Sequence, residues 1–169
     1  WVVRTACDQT ARWRRTIPGA QDLFISVNFS PRQLAAPGFV EDLLSILEAA
    51  GLNRQGLHVE LTESMMMPDS PATAEVVSAM SAAGIEMHLD DFGTGFSSLS
   101  YLNRLPVAAI KIDRSFLRPH EVTVGDVSTI KALIDMAHAH RLKVIAEGIE
   151  TEAQLKLLQE VISLSVFVP

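Results

Sequence analysis

Five short apolar runs, each closing on a polar side chain and each followed by a helical stretch, constrain this chain more than any other feature. The runs cover 23–29, 57–61, 85–89, 108–112 and 143–146 and are mostly Val, Ile and Leu. Strands of that composition are buried on both faces, which points to a parallel sheet or barrel with helices packed outside. Taking Asn28, Glu60, Asp90, Lys111 and Glu147 as strand-end markers, the spacings are 32, 30, 21 and 36 residues. Each spacing accommodates one βα unit. In such folds the C-terminal strand ends converge on one face, and binding sites are built there.

The intervening segments carry helix signals. Val2, Val3, Ala6 and Trp13 suggest an apolar face on a helix over 1–15, stopped by Pro18 and Gly19. Ser30, Pro31 and Gln33 have the spacing of a capping box with Pro at the first helical position. Phe39, Leu43, Leu44 and Leu47 line one side of a helix over 39–50 that Gly51 ends. Further helices are expected over 71–83, 99–105 and 122–140, the last with Val127, Ile130, Leu133, Ile134 and Ala137 on one side. Thr151 and Gln154 repeat the capping-box spacing and open a helix through Leu158.

Asp90 and Asp91 stand side by side at the mouth of a buried strand, ahead of a Gly/Ser loop containing Gly93, Thr94, Gly95, Ser97 and Ser98. A polar strand cap would explain one acid there, but two adjacent carboxylates repel. A divalent cation, or a pair bridged by one carboxylate, removes that repulsion. The convergent set holds an amide, several carboxylates and one ammonium, with no Cys or His, and such oxygen donors select Mg2+ or Mn2+ over zinc. Two ions bridged by Asp90 or Asp91 suit phosphoester hydrolysis. Neighbouring carboxylates favour the charged form of Lys111, so Lys111 is better suited to holding water and phosphate than to acting as a base. Glu147 is the better ligand and proton acceptor.

Composition narrows the partners. With 14 Lys+Arg against 20 Asp+Glu, the 169 residues carry a net charge of −6, which disfavours long nucleic acids and anionic membrane surfaces. A phosphorylated substrate would need cations to offset that charge. The basic cluster Arg12, Arg14 and Arg15 reads as a solvated face. A single Cys7 forms no internal disulfide, which fits a reducing, cytoplasmic setting. No apolar run reaches the roughly 20 residues of a membrane span. A start without Met, in an expected helix, suggests a piece of a longer protein whose other domains would provide any membrane anchor.

Taken together, Asn28-Phe29-Ser30-Pro31-Arg32-Gln33-Leu34, Glu60-Leu61-Thr62-Glu63-Ser64, Asp90-Asp91-Phe92-Gly93-Thr94-Gly95, Ile110-Lys111-Ile112-Asp113 and Ala146-Glu147-Gly148-Ile149-Glu150-Thr151 resemble the ordered motifs of the EAL domain. That family comprises bacterial cyclic-di-GMP phosphodiesterases with a TIM-like (βα) barrel. The resemblance runs over about 1–160 of a single domain, with 161–169 divergent, and implies a partial barrel of about five parallel strands. It implies Asn28, Glu60, Asp90 and Asp91 as metal ligands, Glu147 reaching a metal as well, and Lys111 contacting the catalytic water. Asp91 and Glu147 join Lys111 as the catalytic set. Glu63 would steady the loop 92–98, including Gly93 and Thr94, which in this family couples dimerisation to metal binding; a homodimer through that loop follows. Glu150 would support the site from behind. The implied reaction opens cyclic di-GMP to linear pGpG.

Two departures bear on activity. The family's Glu-Ala-Leu strand would precede residue 1, and a Gln-Gly-Tyr segment expected after Glu160 is replaced by a different sequence. A barrel of this kind takes about 250 residues, so the chain alone is expected to be poorly folded or inactive. The competing expectation is a non-catalytic cyclic-di-GMP-binding or protein-interaction module. Elsewhere, His138 and His140 are two apart on a helix and make no ligand pair. His58 and His88 read as packed or hydrogen-bonded, Met65-Met66-Met67 as flexible packing, and Cys7 as a helical thiol with apolar neighbours and no His beside it.

Overall fold

A computed structural model describes residues 1–66, 71–93, 106–117 and 124–165. Five strands have the hydrogen-bonded order β1-β2-β3-β4-β5: β1 Ile25–Asn28, β2 Leu57–Thr62, β3 Glu86–Phe92, β4 Ala109–Ile112 and β5 Lys143–Ala146. Chain order and sheet order therefore coincide, as successive βα units require. The chain divides into two compact units, Trp1–His88 and Leu89–Pro169.

In the first unit, β1 and β2 pair in parallel, with Ile25 opposite Leu57 and Asn28 opposite Glu60. Leu57, Val59 and Leu61 are fully buried and so, nearly, are His58 and Glu60, as expected of a strand covered on both faces. The capping box forms: Ser30 Oγ accepts from the Gln33 backbone N–H, and Gln33 Oε1 accepts from the Ser30 N–H at 2.9 Å, opening α2, Pro31–Leu34. Helix α3, Phe39–Ala50, buries Leu43 and Leu47 four residues apart and ends on Gly51. Helix α4, Pro71–Ala82, precedes β3.

Helix α1, Val2–Thr16, buries a different stripe from the one its apolar residues suggest. Cys7, Thr10 and Ala11 face inward, whereas Val2 and Trp13 are exposed. The Thr10 hydroxyl donates to the Ala6 carbonyl at 2.8 Å, which satisfies a polar group inside that stripe. Burial pushes the Cys7 thiol up to about 11, with Asp8 adding to the shift. Nor is the basic cluster merely solvated. Arg14 donates to the Leu23 carbonyl at 2.6 Å and to Asn53 Oδ1 at 2.8 Å, tying α1 to the segments flanking β1 and β2.

In the second unit, β4 and β5 pair in parallel, with Lys111 opposite Ile145. Helices α5, Val124–Ala139, and α6, Glu152–Ser165, cover this pair. Their core joins Ile112 and Leu117 to Ile130, Ile134, Leu158 and Val161. Ile130, Ile134 and Ala137 recur at helical spacing and are buried, the face expected from sequence. Thr151 Oγ1 accepts from the Gln154 N–H, while Gln154 Oε1 accepts from the Glu150 and Thr151 N–H groups, so the second capping box also forms. Helix α6 continues to Ser165, past the expected end at Leu158. Among the described residues no helix is long and apolar enough to cross a membrane. The expected helix over 99–105 lies outside the described residues.

Candidate functional site

In the first unit, parallel register brings two candidate residues together. Asn28 and Glu60 are paired positions on β1 and β2, and paired residues stand on one face about 4.8 Å apart. Asn28 Nδ2 accordingly donates to Glu60 Oε2 at 3.1 Å. An amide and a carboxylate, both bearing hard oxygen donors, thus stand side by side on two adjacent strands. Glu63 begins the short 3-10 helix Glu63–Met66 just past β2 and is buried, at 5% exposure.

The second unit holds its own group of candidate residues around Lys111. Its side chain is buried, and Nζ lies 3.0 Å from Asp90 Oδ1 and 2.6 Å from Glu147 Oε1. Three consecutive strand ends thus supply an ammonium between two carboxylates. The backbone fixes this: the Glu147 N–H donates to the Ile112 carbonyl, continuing the ladder one residue past β5. Gly148 then takes a φ of +69°, and a Cβ added there would stand 2.4 Å from Arg114 Cβ. Gly148→Ala is therefore expected to cost about 1–3 kcal/mol, from left-handed strain and the clash together. A denaturant titration of the two proteins checks this, and an unchanged midpoint would remove the constraint.

Asp91 corrects one expectation. Both aspartates lie inside β3, not beyond its end. Asp91 adopts a φ of +54°, a conformation Asp tolerates better than most residues, and this breaks the strand alternation at that point. Its N–H donates to Asp90 Oδ1 at 3.1 Å. Partial desolvation raises the Asp91 carboxyl above its usual range, the Asp90 and Asp113 charges add to the effect, and Lys111 opposes it. Asp113 is lowered instead, chiefly by hydrogen bonds from the Ser115 side chain and backbone. Gly93, at φ +91°, has no room for a Cβ, which would meet Phe116 Cζ at 2.9 Å. Thr94 and the remainder of the loop through Ser98 lie outside the described residues.

Glu150 is exposed and lines a cleft of about 510 Å³ with Asp113, Arg114, Ser115, Gly148 and Gln154. What the sequence reading did not foresee is that His58 and His88 converge with Glu86. The signal was present, because His58 precedes Glu60 by two, and Glu86 and His88 precede Asp90 by four and two. Strand alternation puts such residues on one face.

The family model for the EAL domain matches residues 1–162. The chain belongs to the EAL domain family. MucR of Pseudomonas aeruginosa, a bifunctional diguanylate cyclase/cyclic di-GMP phosphodiesterase, is 39% identical over 158 residues, covering 94% of this chain and 23% of MucR. The cyclic di-GMP phosphodiesterase NbdA of the same organism is 38% identical over 160 residues, 95% of this chain and 20% of NbdA. Among solved structures, the PaMucR phosphodiesterase in complex with c-di-GMP superposes with a TM-score of 0.86 at 38% identity, covering 95% of this chain and 64% of that one. BlrP1 of Klebsiella pneumoniae, in a manganese and cyclic-di-GMP complex, gives a TM-score of 0.81 at 27% identity over 94% of this chain and 40% of that one. This EAL chain thus spans about a quarter or less of the length of these curated relatives. Its α/β class and five strands are those expected of the family.

Proposed function

We propose that this chain belongs to a metal-dependent phosphodiesterase that hydrolyses cyclic di-GMP to linear pGpG. The observation that carries the reading is Lys111 held between Asp90 and Glu147 at successive strand ends. Asn28, Glu60, Asp90, Asp91 and Glu147 are the proposed ligands of two Mg2+ or Mn2+ ions. The donor set fits: every candidate offers oxygen, the donor type that Mg2+ and Mn2+ prefer. When bound, the ions would acidify a water and offset phosphate charge.

The chain's own residues would do the rest. Lys111 orients the attacking water and hydrogen-bonds a phosphate oxygen. Glu147 accepts the proton the water loses as its oxygen bonds to phosphorus. The bond from phosphorus to a 3′-oxygen breaks, and the proton passes to that oxygen, leaving a 5′-phosphate on the linear product. Glu63 is assigned to steadying the loop 92–98, which includes Gly93 and Thr94, and through it a homodimer, with Glu150 in support and the whole in the cytoplasm.

Incubation of the full-length protein with cyclic di-GMP and Mn2+, followed by chromatography, tests the reading. Linear pGpG should accumulate over many turnovers. Saturable binding of the intact cyclic dinucleotide with no product would replace the enzyme with a receptor of the same fold.

A further inference from the structure

One step below the proposed catalytic level, the first unit buries a set of groups that the phosphodiester reaction does not use. His88 Nε2 lies 3.1 Å from Glu86 Oε1, and His58 Nε2 lies 4.0 Å from Glu86 Oε2. One carboxylate thus turns a separate oxygen toward each imidazole. The two rings meet edge to face at 4.6 Å, and Phe24 stacks on His58 at 4.0 Å. His58 and His88 are 7% and 3% exposed, whereas the Glu86 side chain keeps 28% of its surface, a route in from solvent. His88 Nδ1 has no hydrogen-bond partner among the described residues.

A packed core does not need this arrangement, since apolar side chains of similar volume would stabilise it as well without the desolvation of three polar groups. One donor atom from each residue falls within 4.8 Å of the others. Donors around a tetrahedral zinc, about 2.0–2.1 Å from the ion, stand roughly 3.3 Å apart. Side-chain rotation covers the difference. Two imidazole nitrogens and a carboxylate are a borderline donor set, opposite in preference to the oxygen-only set two residues further along β2.

We infer that His58, Glu86 and His88 form a second cation site, selective for Zn2+ or a similar transition ion over Mg2+, that clips β2 to the start of β3. Solvent entering past Glu86 would complete its coordination.

Tag-free full-length protein, titrated with Zn2+ while excess Mg2+ occupies oxygen ligands, should bind one equivalent. His58→Gln and His88→Gln should each weaken that binding at least about tenfold to a hundredfold, the range for perturbing a metal's ligand shell. Asp90→Asn should retain it, as should the triple variant His120→Gln, His138→Gln, His140→Gln, which leaves only the proposed pair of the five histidines in these 169 residues. Circular dichroism reports whether each variant folds. Where one does not, X-ray absorption of the zinc-loaded triple variant, with any histidines outside these 169 residues also replaced, decides, since two imidazoles should surround the ion. No zinc equivalent in excess Mg2+, unchanged affinity in folded His88→Gln, or an imidazole-free spectrum would each overturn the site.

Discussion

Excess chelator should abolish cyclic-di-GMP hydrolysis by the full-length protein, and Asp90→Asn should lower kcat by about 10³-fold with Mg2+ or Mn2+ restored. The magnitude follows from the several kcal/mol that cations contribute to a phosphoryl transition state, each 1.36 kcal/mol being tenfold in rate. Asp90 carries this because its position is fixed twice, by the strand and by Lys111 at 3.0 Å. The substitution keeps the side chain's shape and leaves Lys111 its contact with Glu147 at 2.6 Å. The fold should therefore survive, with a chemical-denaturation midpoint close to that of the parent. Hydrolysis that persists in chelator would end the metal mechanism altogether. Wild-type turnover by Asp90→Asn would remove only Asp90 from the ligands, so the two measurements fail separately.

The positions of Asn28, Glu60, Asp90, Lys111 and Glu147 were legible in the sequence because strand ends in a βα chain are marked twice, by an apolar run and by the polar residue that stops it. The helix caps were equally legible, since Ser30 with Gln33 and Thr151 with Gln154 act through fixed local spacing. Tertiary effects were harder to foresee. The buried stripe of α1 includes Thr10, which hydropathy assigns to solvent and a hydrogen bond to Ala6 makes compatible with burial. Asp91 fell inside β3 because a left-handed residue can continue a strand, which no propensity signals. His58 and His88 each read as packing, since a single histidine in an apolar run suggests it, and Glu86 carries no local signal of its own. Their convergence depends on the register of neighbouring strands, a quantity that local sequence does not contain.

Lys111→Met should separate two roles that one missing activity would confuse. If Lys111 orients water and phosphate, kcat should fall by about 10²-fold or more, in the range of a lost positioned proton-handling or electrostatic group. Metal affinity should move the opposite way. An ammonium 2.6–3.0 Å from Asp90 and Glu147 opposes any cation those carboxylates bind, so removing it should tighten Mn2+ by about tenfold, or roughly 1.4 kcal/mol. Without metal, the same change leaves two carboxylates facing each other with no counter-charge. Glu147 is about a third exposed, so solvent screening reduces the loss to about 1–2 kcal/mol, below the 3–5 kcal/mol of a fully buried broken pair. The metal-free variant should accordingly melt earlier, while saturating Mn2+ should raise its melting temperature by more than it raises that of the parent. Calorimetric titration and thermal melts read these effects independently of turnover. Weaker Mn2+ binding by Lys111→Met would mean that Lys111 assembles the carboxylates for the cation and does not act on the water, and the assignment of the proton-handling step would then rest on Glu147 alone.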